Sequence, residues 1–262
     1  MPEERDHDSR VRADSAGVPW AGRHFNENPS AGDDGRASPG LMDALRHFRL
    51  GKNGEAEVVD AFKESRVLVP LVARLAEMNV NDRGQNVDKS AELAIVTVVG
   101  PDGRNVLPVF SSVDSMRRWN PNARPVPADA ARVALAAAGE GTDIVILDAT
   151  SATEFAIRRP ALWCIATGQR WIPSYLDKDI LPAFMAAVES ESMVASLTLG
   201  PGDPDARLAG PELLVHLELE PGLASIQLKV LLERVQRRWA ENELIAQRVD
   251  SLGVRISARQ PV

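Results

Sequence analysis

The chain has a single cysteine, Cys164, so it forms no internal disulfide. That thiol lies in the apolar run PALWCIA, where burial keeps it inert, and the pattern fits a reducing cytoplasm. Long apolar runs are missing as well. The longest are about seven residues, 93–99 among them, against roughly 18 for a bilayer span, so no membrane segment is expected. The N-terminal MPEERDHDSRVRADS carries charges where a secretory leader needs an apolar core, so no export signal is read. Basic charge is not in excess. A formal net charge of -7 and a pI near 5.2 argue against general nucleic-acid binding, which needs a cationic face to displace counterions from phosphates.

The usual marks of chemistry are also absent. His7, His24, His47 and His216 show no metal-ligand spacing and Cys164 has no cysteine partner, so neither a metal nor a cofactor is expected. The Gly-x-Gly at 139–141 precedes a strand, whereas a nucleotide loop follows a strand and opens a helix. Ser111 or Ser112, Asp148 and His216 occur in the chain order of α/β hydrolases. No G-x-S-x-G elbow surrounds either serine, however, and His216 alternates with Glu218 and Glu220 on the polar side of a strand.

What remains is the composition of a globular protein, 44% hydrophobic and 26% charged over 262 residues. Residues 1–40 hold eight acidic and five basic residues among Gly, Pro, Ser and Asn, and are expected to form a disordered tail. Within it, GVPWAGRHF carries Trp20 and Phe25, two aromatics able to dock on a groove. Helices are expected from the Ser-Pro start at 38–39 and over 55–64, then a strand RVLVPLVARL with Pro70 at an edge or bulge. LAIVTVV reads as one strand covered on both faces, PDGRN as a turn, and VLPVF as a strand near an edge because Pro108 has no amide hydrogen. Ser111 and Asp114 form a capping-box pattern ahead of SMRRW, and Asn120-Pro121 ends that helix. Pro127 is expected to open an Ala-rich helix that leads to the buried strand IVIL. TEFAI, a helix from Pro160 to Gly168, and WIPSY follow. Beyond residue 176 come a helix over 178–189 and the alternating strands MVASLTL and LLVHLEL. A long helix with Leu228, Leu231, Leu232, Val235 and Trp239 inward then leads to a last strand, VRISA.

VFSSVDSMRRWNPNARPVP, then VALAAAGEGTDIVILD, then FAIRRPALWCIATGQRWIP resemble the N-terminal domain of the SseB family in its actinobacterial form, over roughly residues 41–176. GVPWAGRHF is similar to a segment that often precedes that domain. The resemblance implies a fold but no reaction. The chain has Asp148-Ala149-Thr150 where the family tends to carry Asn or Asp followed by Pro and Gly, a departure from the residues of a rigid turn.

The expected fold is α+β (mixed α/β). It comprises a tail over 1–40, a central sheet with short flanking helices over 41–176, and a smaller C-terminal α+β unit over 177–262. The expected function is a cytoplasmic, non-enzymatic role in protein interaction or regulation, with an unknown protein partner and neither nucleic acid nor membrane bound. The candidate interaction surface is Phe110, Ser111, Ser112, Trp119 and Trp20. The alternative is a small-molecule or enzymatic site at the strand ends near Ser111 and Asp148.

Overall fold

The computed structural model describes residues 32–74 and 92–260; Trp20 and most of the 1–40 segment lie outside them, as does the polar loop at 79–90. The elements alternate as a mixed α+β fold. Helices α1 (Pro39–Arg49) and α2 (Glu55–Lys63) lead into β1 (Arg66–Arg74), which is followed by β2 (Glu92–Ile95), β3 (Val98–Val99) and β4 (Asn105–Val109). Then come α3 (Val113–Trp119), β5 (Arg124–Asp129), α4 (Ala130–Gly139), β6 (Ile144–Leu147), β7 (Phe155–Arg158) and α5 (Arg159–Ala166). After a 3-10 turn at Ser174–Leu176 follow α6 (Ile180–Val188), β8 (Val194–Pro201), β9 (Leu213–Leu219), α7 (Ser225–Ala240), α8 (Glu243–Arg248) and β10 (Leu252–Ala258).

The strands form three sheets, ordered β2-β1-β5, β3-β4-β6-β7 and β10-β9-β8. Prolines decide how the first two meet. Leu68 and Phe110 exchange both main-chain hydrogen bonds, at 2.8 and 2.9 Å, and so stitch β1 to the end of β4. Pro70, two residues on, turns its missing N–H toward the same side, before the β2 pairing begins at Leu71. Pro108 does likewise on β4, beyond the two residues that β3 pairs. Both strands are therefore internal to their sheets, not edges, and each proline occupies a gap in the ladder.

Two other expectations are corrected. LAIVTVV is not one strand: it breaks at Val96-Thr97, β2 joining the first sheet and β3 the second, and Val99 is exposed. Pro127 opens no helix. RPVPAD is the edge strand β5, whose register with β1 turns the nitrogens of Pro125 and Pro127 to the unpaired side, where proline costs no hydrogen bond.

IVIL is buried on both faces, as its pattern implies. Val145 and Leu147 join Leu41, Leu45, Phe62 and Val133 in the main core, while Ile144 and Ile146 lie with Val106, Ala156 and Leu208 on the other face. Leu208 comes from the loop between β8 and β9, so the C-terminal part of the chain covers the back of the second sheet. A separate core packs Phe184, Val215, Leu217, Leu231, Val235 and Trp239 between α6, α7 and the third sheet. There the indole N–H of Trp239 donates to Phe184 O at 3.3 Å and the two rings lie 5.0 Å apart. Each such fully buried large side chain is worth roughly 2–3 kcal/mol.

Candidate functional site

The end of β4 meets the end of β6 at a buried carboxylate. Asp148 is fully buried and accepts from Ser111 N at 2.8 Å, Ser111 Oγ at 2.7 Å and Thr153 Oγ1 at 2.9 Å. Its own N–H donates to Val109 O at 2.8 Å. The turn that follows is held despite the lack of Pro-Gly: Asp148 and Thr150 take φ of 50° and 65°, a left-handed conformation that costs a β-branched residue most. Ser111 is thus committed to Asp148 and does not cap the next helix. Ser112 caps it, its Oγ accepting from Ser115 N at 3.1 Å, so the cap lies one residue later than the sequence pattern implied and Asp114 is not its reciprocal partner.

Phe110 is fully buried with Leu68, Met116 and Ala123, and its ring lies 5.2 Å from that of Trp119, which is half-buried. Of the described candidates, Phe110 and Ser111 are interior, and Ser112 and Trp119 reach the surface in part. Ser111 and Asp148 do touch, as the hydrolase order would need. His216, however, lies on β9 of the third sheet, paired across strands with Thr198 and Arg255. The Ser111 hydroxyl has a carboxylate for its partner and no histidine, so the pair lacks the base that would activate a nucleophile.

A second buried centre was not visible in the sequence. Arg158, at the end of β7, donates through one guanidinium nitrogen to Asp203 at 2.7 Å and Gly210 O at 2.9 Å. The other nitrogen donates to Asp250 at 3.1 Å and Ser251 Oγ at 3.2 Å. Arg104 grips the same Asp250 with two nitrogens, at 3.1 and 2.9 Å. Burial alone would raise the Asp250 carboxyl, but the hydrogen bonds and charges of Arg104 and Arg158 outweigh it and hold it below the ordinary carboxylate range. Asp203 also accepts from Leu208 N at 2.8 Å, which fixes the loop carrying Leu208. Partners 45 to 146 residues apart leave no local spacing to detect. The one clue is an arginine closing the apolar strand FAIR.

Beside Arg158 a small cavity is lined by Glu55, Val59, Phe155, Trp171 and Glu212. Its interior is about 20 Å³, room for one water molecule and far below the few hundred Å³ of a metabolite pocket. Burial, with the Glu212 carboxylate nearby, pushes Glu55 up to about 7. Burial also raises Glu212, whose Oε1 has no hydrogen-bond partner, and Trp171 Nε1 and Ser174 Oγ are likewise buried and unpartnered among the described residues. Two of the basic residues of α7 are ion-paired with Glu191. Arg234 clasps Glu191 with bonds of 2.7 and 2.6 Å and Arg238 adds a third at 2.9 Å, holding that carboxyl below its usual range.

The open surface is apolar in places. Trp163 on α5 is 67% exposed and Leu135 on α4, the helix packed against α5, is 63% exposed. Trp171, in contrast, is buried. Among the described residues no cluster of His, Cys, Asp and Glu fits a metal, and no helix is long and apolar enough to cross a membrane.

No curated protein and no solved structure matches the chain. Residues 41–164, from α1 through most of α5, match the family model of the SseB protein N-terminal domain. The matched segment contains Asp148 with its serine and Arg158, but neither Asp203 nor Asp250. That segment of the chain is similar to the SseB protein N-terminal domain.

Proposed function

We infer that this protein works by binding another protein, without catalysing a reaction, and that it does so in the cytoplasm. The observation that carries the reading is Trp163. A tryptophan exposed over two thirds of its surface on a rigid helix, next to a helix presenting Leu135, has the chemistry of an interface anchor. Polar groups support the same reading: the buried Ser111, Asp148, Arg158, Asp203 and Asp250 are engaged with one another among the described residues. The alternative, a small-molecule site at Ser111 and Asp148, has against it that both side chains are buried and engaged.

Affinity purification of the full chain at native salt is expected to recover a stoichiometric protein partner. The double variant Trp163→Ala, Leu135→Ser is expected to lose it while the thermal midpoint stays within about 2 °C, because exposed side chains contribute little to folding. Recovery of the wild-type chain alone, or a partner retained by the variant, would overturn the reading.

A further inference from the structure

The two margins of the third sheet differ. On β8 the edge is blunted by a bulge between Val194 and Ser196 and by Pro201 at its end. On β10 there is neither: its seven residues pair with β9 in unbroken parallel register, and nothing pairs with its other side. Leu213 N donates to Ser251 O, and Arg259 N donates to Leu219 O. That parity turns the main-chain groups of Leu252, Val254, Ile256 and Ala258 outward, and no hydrogen bond among the described residues meets them. From Arg255 onward the strand is exposed on both faces, with Ile256 39% exposed. An unguarded row of this kind is a template for one more strand.

Charge identifies the strand that fits. Arg255 and Arg259 share one face of β10. Arg259 is paired with Glu220 at 2.7 Å, while the Arg255 side chain has no ion pair or hydrogen bond among the described residues. Two copies of β10 side by side would bring these arginines together on one face, and like charges across strands are destabilising. At the start of the strand, a recess of about 460 Å³ lined by Trp239, Ile245, Val249 and Leu252 can receive an apolar side chain.

We propose that the open edge of β10 binds an extended acidic segment of a partner protein, added as a fourth strand with alternating carboxylate and apolar side chains. The surface is separate from the α4–α5 face and does not depend on it. The full chain is titrated into a fluorescein-labelled heptapeptide of alternating Glu and Val, with the alternating Lys and Val peptide as the comparison. The Glu peptide is expected to bind at least tenfold tighter, and to slow hydrogen exchange at the amides of Val254, Ile256 and Ala258. Ile256→Pro, which removes an outward N–H at a position an edge tolerates, is expected to weaken binding by roughly tenfold or more with an unchanged circular dichroism spectrum. Arg255→Glu, which leaves the backbone intact, is expected to reverse the preference between the peptides. Absence of binding, equal binding of both peptides, or unchanged exchange at Ile256 on saturation would overturn the proposal. So would a dimer of the free chain that Ile256→Pro dissolves, because the occupant would then be a second copy.

Discussion

Two buried carboxylates anchor this molecule, and they are built on opposite principles. Asp148 is satisfied by the neutral hydroxyls and amide of Ser111 and Thr153, all within the segment that matches the family domain. Asp250 is satisfied by two guanidiniums, and its arginines lie in the matched segment while it lies far outside. A hydroxyl-bound carboxylate holds a turn in place. A carboxylate bound by two arginines ties distant stretches of chain together, because a buried charge without its counterion is costly. Arg158 therefore makes the sheet of the family domain depend on residues 203 and 250.

Removing that cation is the strongest way to break the comparison. Arg158→Ala is expected to cost about 3–5 kcal/mol in urea unfolding, since Asp203 and Asp250 stay buried with one counterion fewer. Ser111→Ala should cost less, about 1–3 kcal/mol, because Asp148 keeps the Ser111 amide and Thr153. If the two losses came out equal, the distinction between the centres would fail.

Glu55 sharpens it through pH. Its carboxyl is at about 7 in the folded protein against an ordinary 4.5, so between those values the folded state holds more protons than the unfolded one. Stability from this group is thus full near pH 4.5, falls as pH rises to about 7, and stays low above. Glu55→Gln is expected to stabilise the protein by about 1–2 kcal/mol at pH 8, after allowance for solvent screening, and to change little at pH 5. Urea midpoints at the two pH values read this directly. The smallest effect belongs to the Asp148 turn. Thr150→Gly is expected to raise stability by about 0.5–1 kcal/mol by relieving a left-handed β-branched residue, measured as a rise in the thermal midpoint.

Much of the fold was legible where local pattern and tertiary packing agree. IVIL, the alternating LLVHLEL, and the leucine stripe of α7 all lie as their periodicity implies. Prolines were misread because their meaning depends on which side of a strand faces a neighbour. Pro127 suits a helix start and an unpaired strand edge equally well, and only the register with β1 chose between them. The serines at 111 and 112 show the same limit: either can cap a helix, and the presence of Asp148 beside Ser111 decided which one does. Phe110 was legible as an aromatic anchor, but nothing local shows that Leu68 and Met116 close over it.

Composition and periodicity settled most of the chain's elements, because these follow from side-chain character a few residues apart, while the resemblance to the family domain rests on ordered motifs over residues 41–164. The Arg158 cluster, the guarded edge at β8 and the open one at β10 follow from pairings between residues tens of positions apart. For those, hydrogen bonding and desolvation act only once the chain has folded, and the tertiary structure alone made the choice.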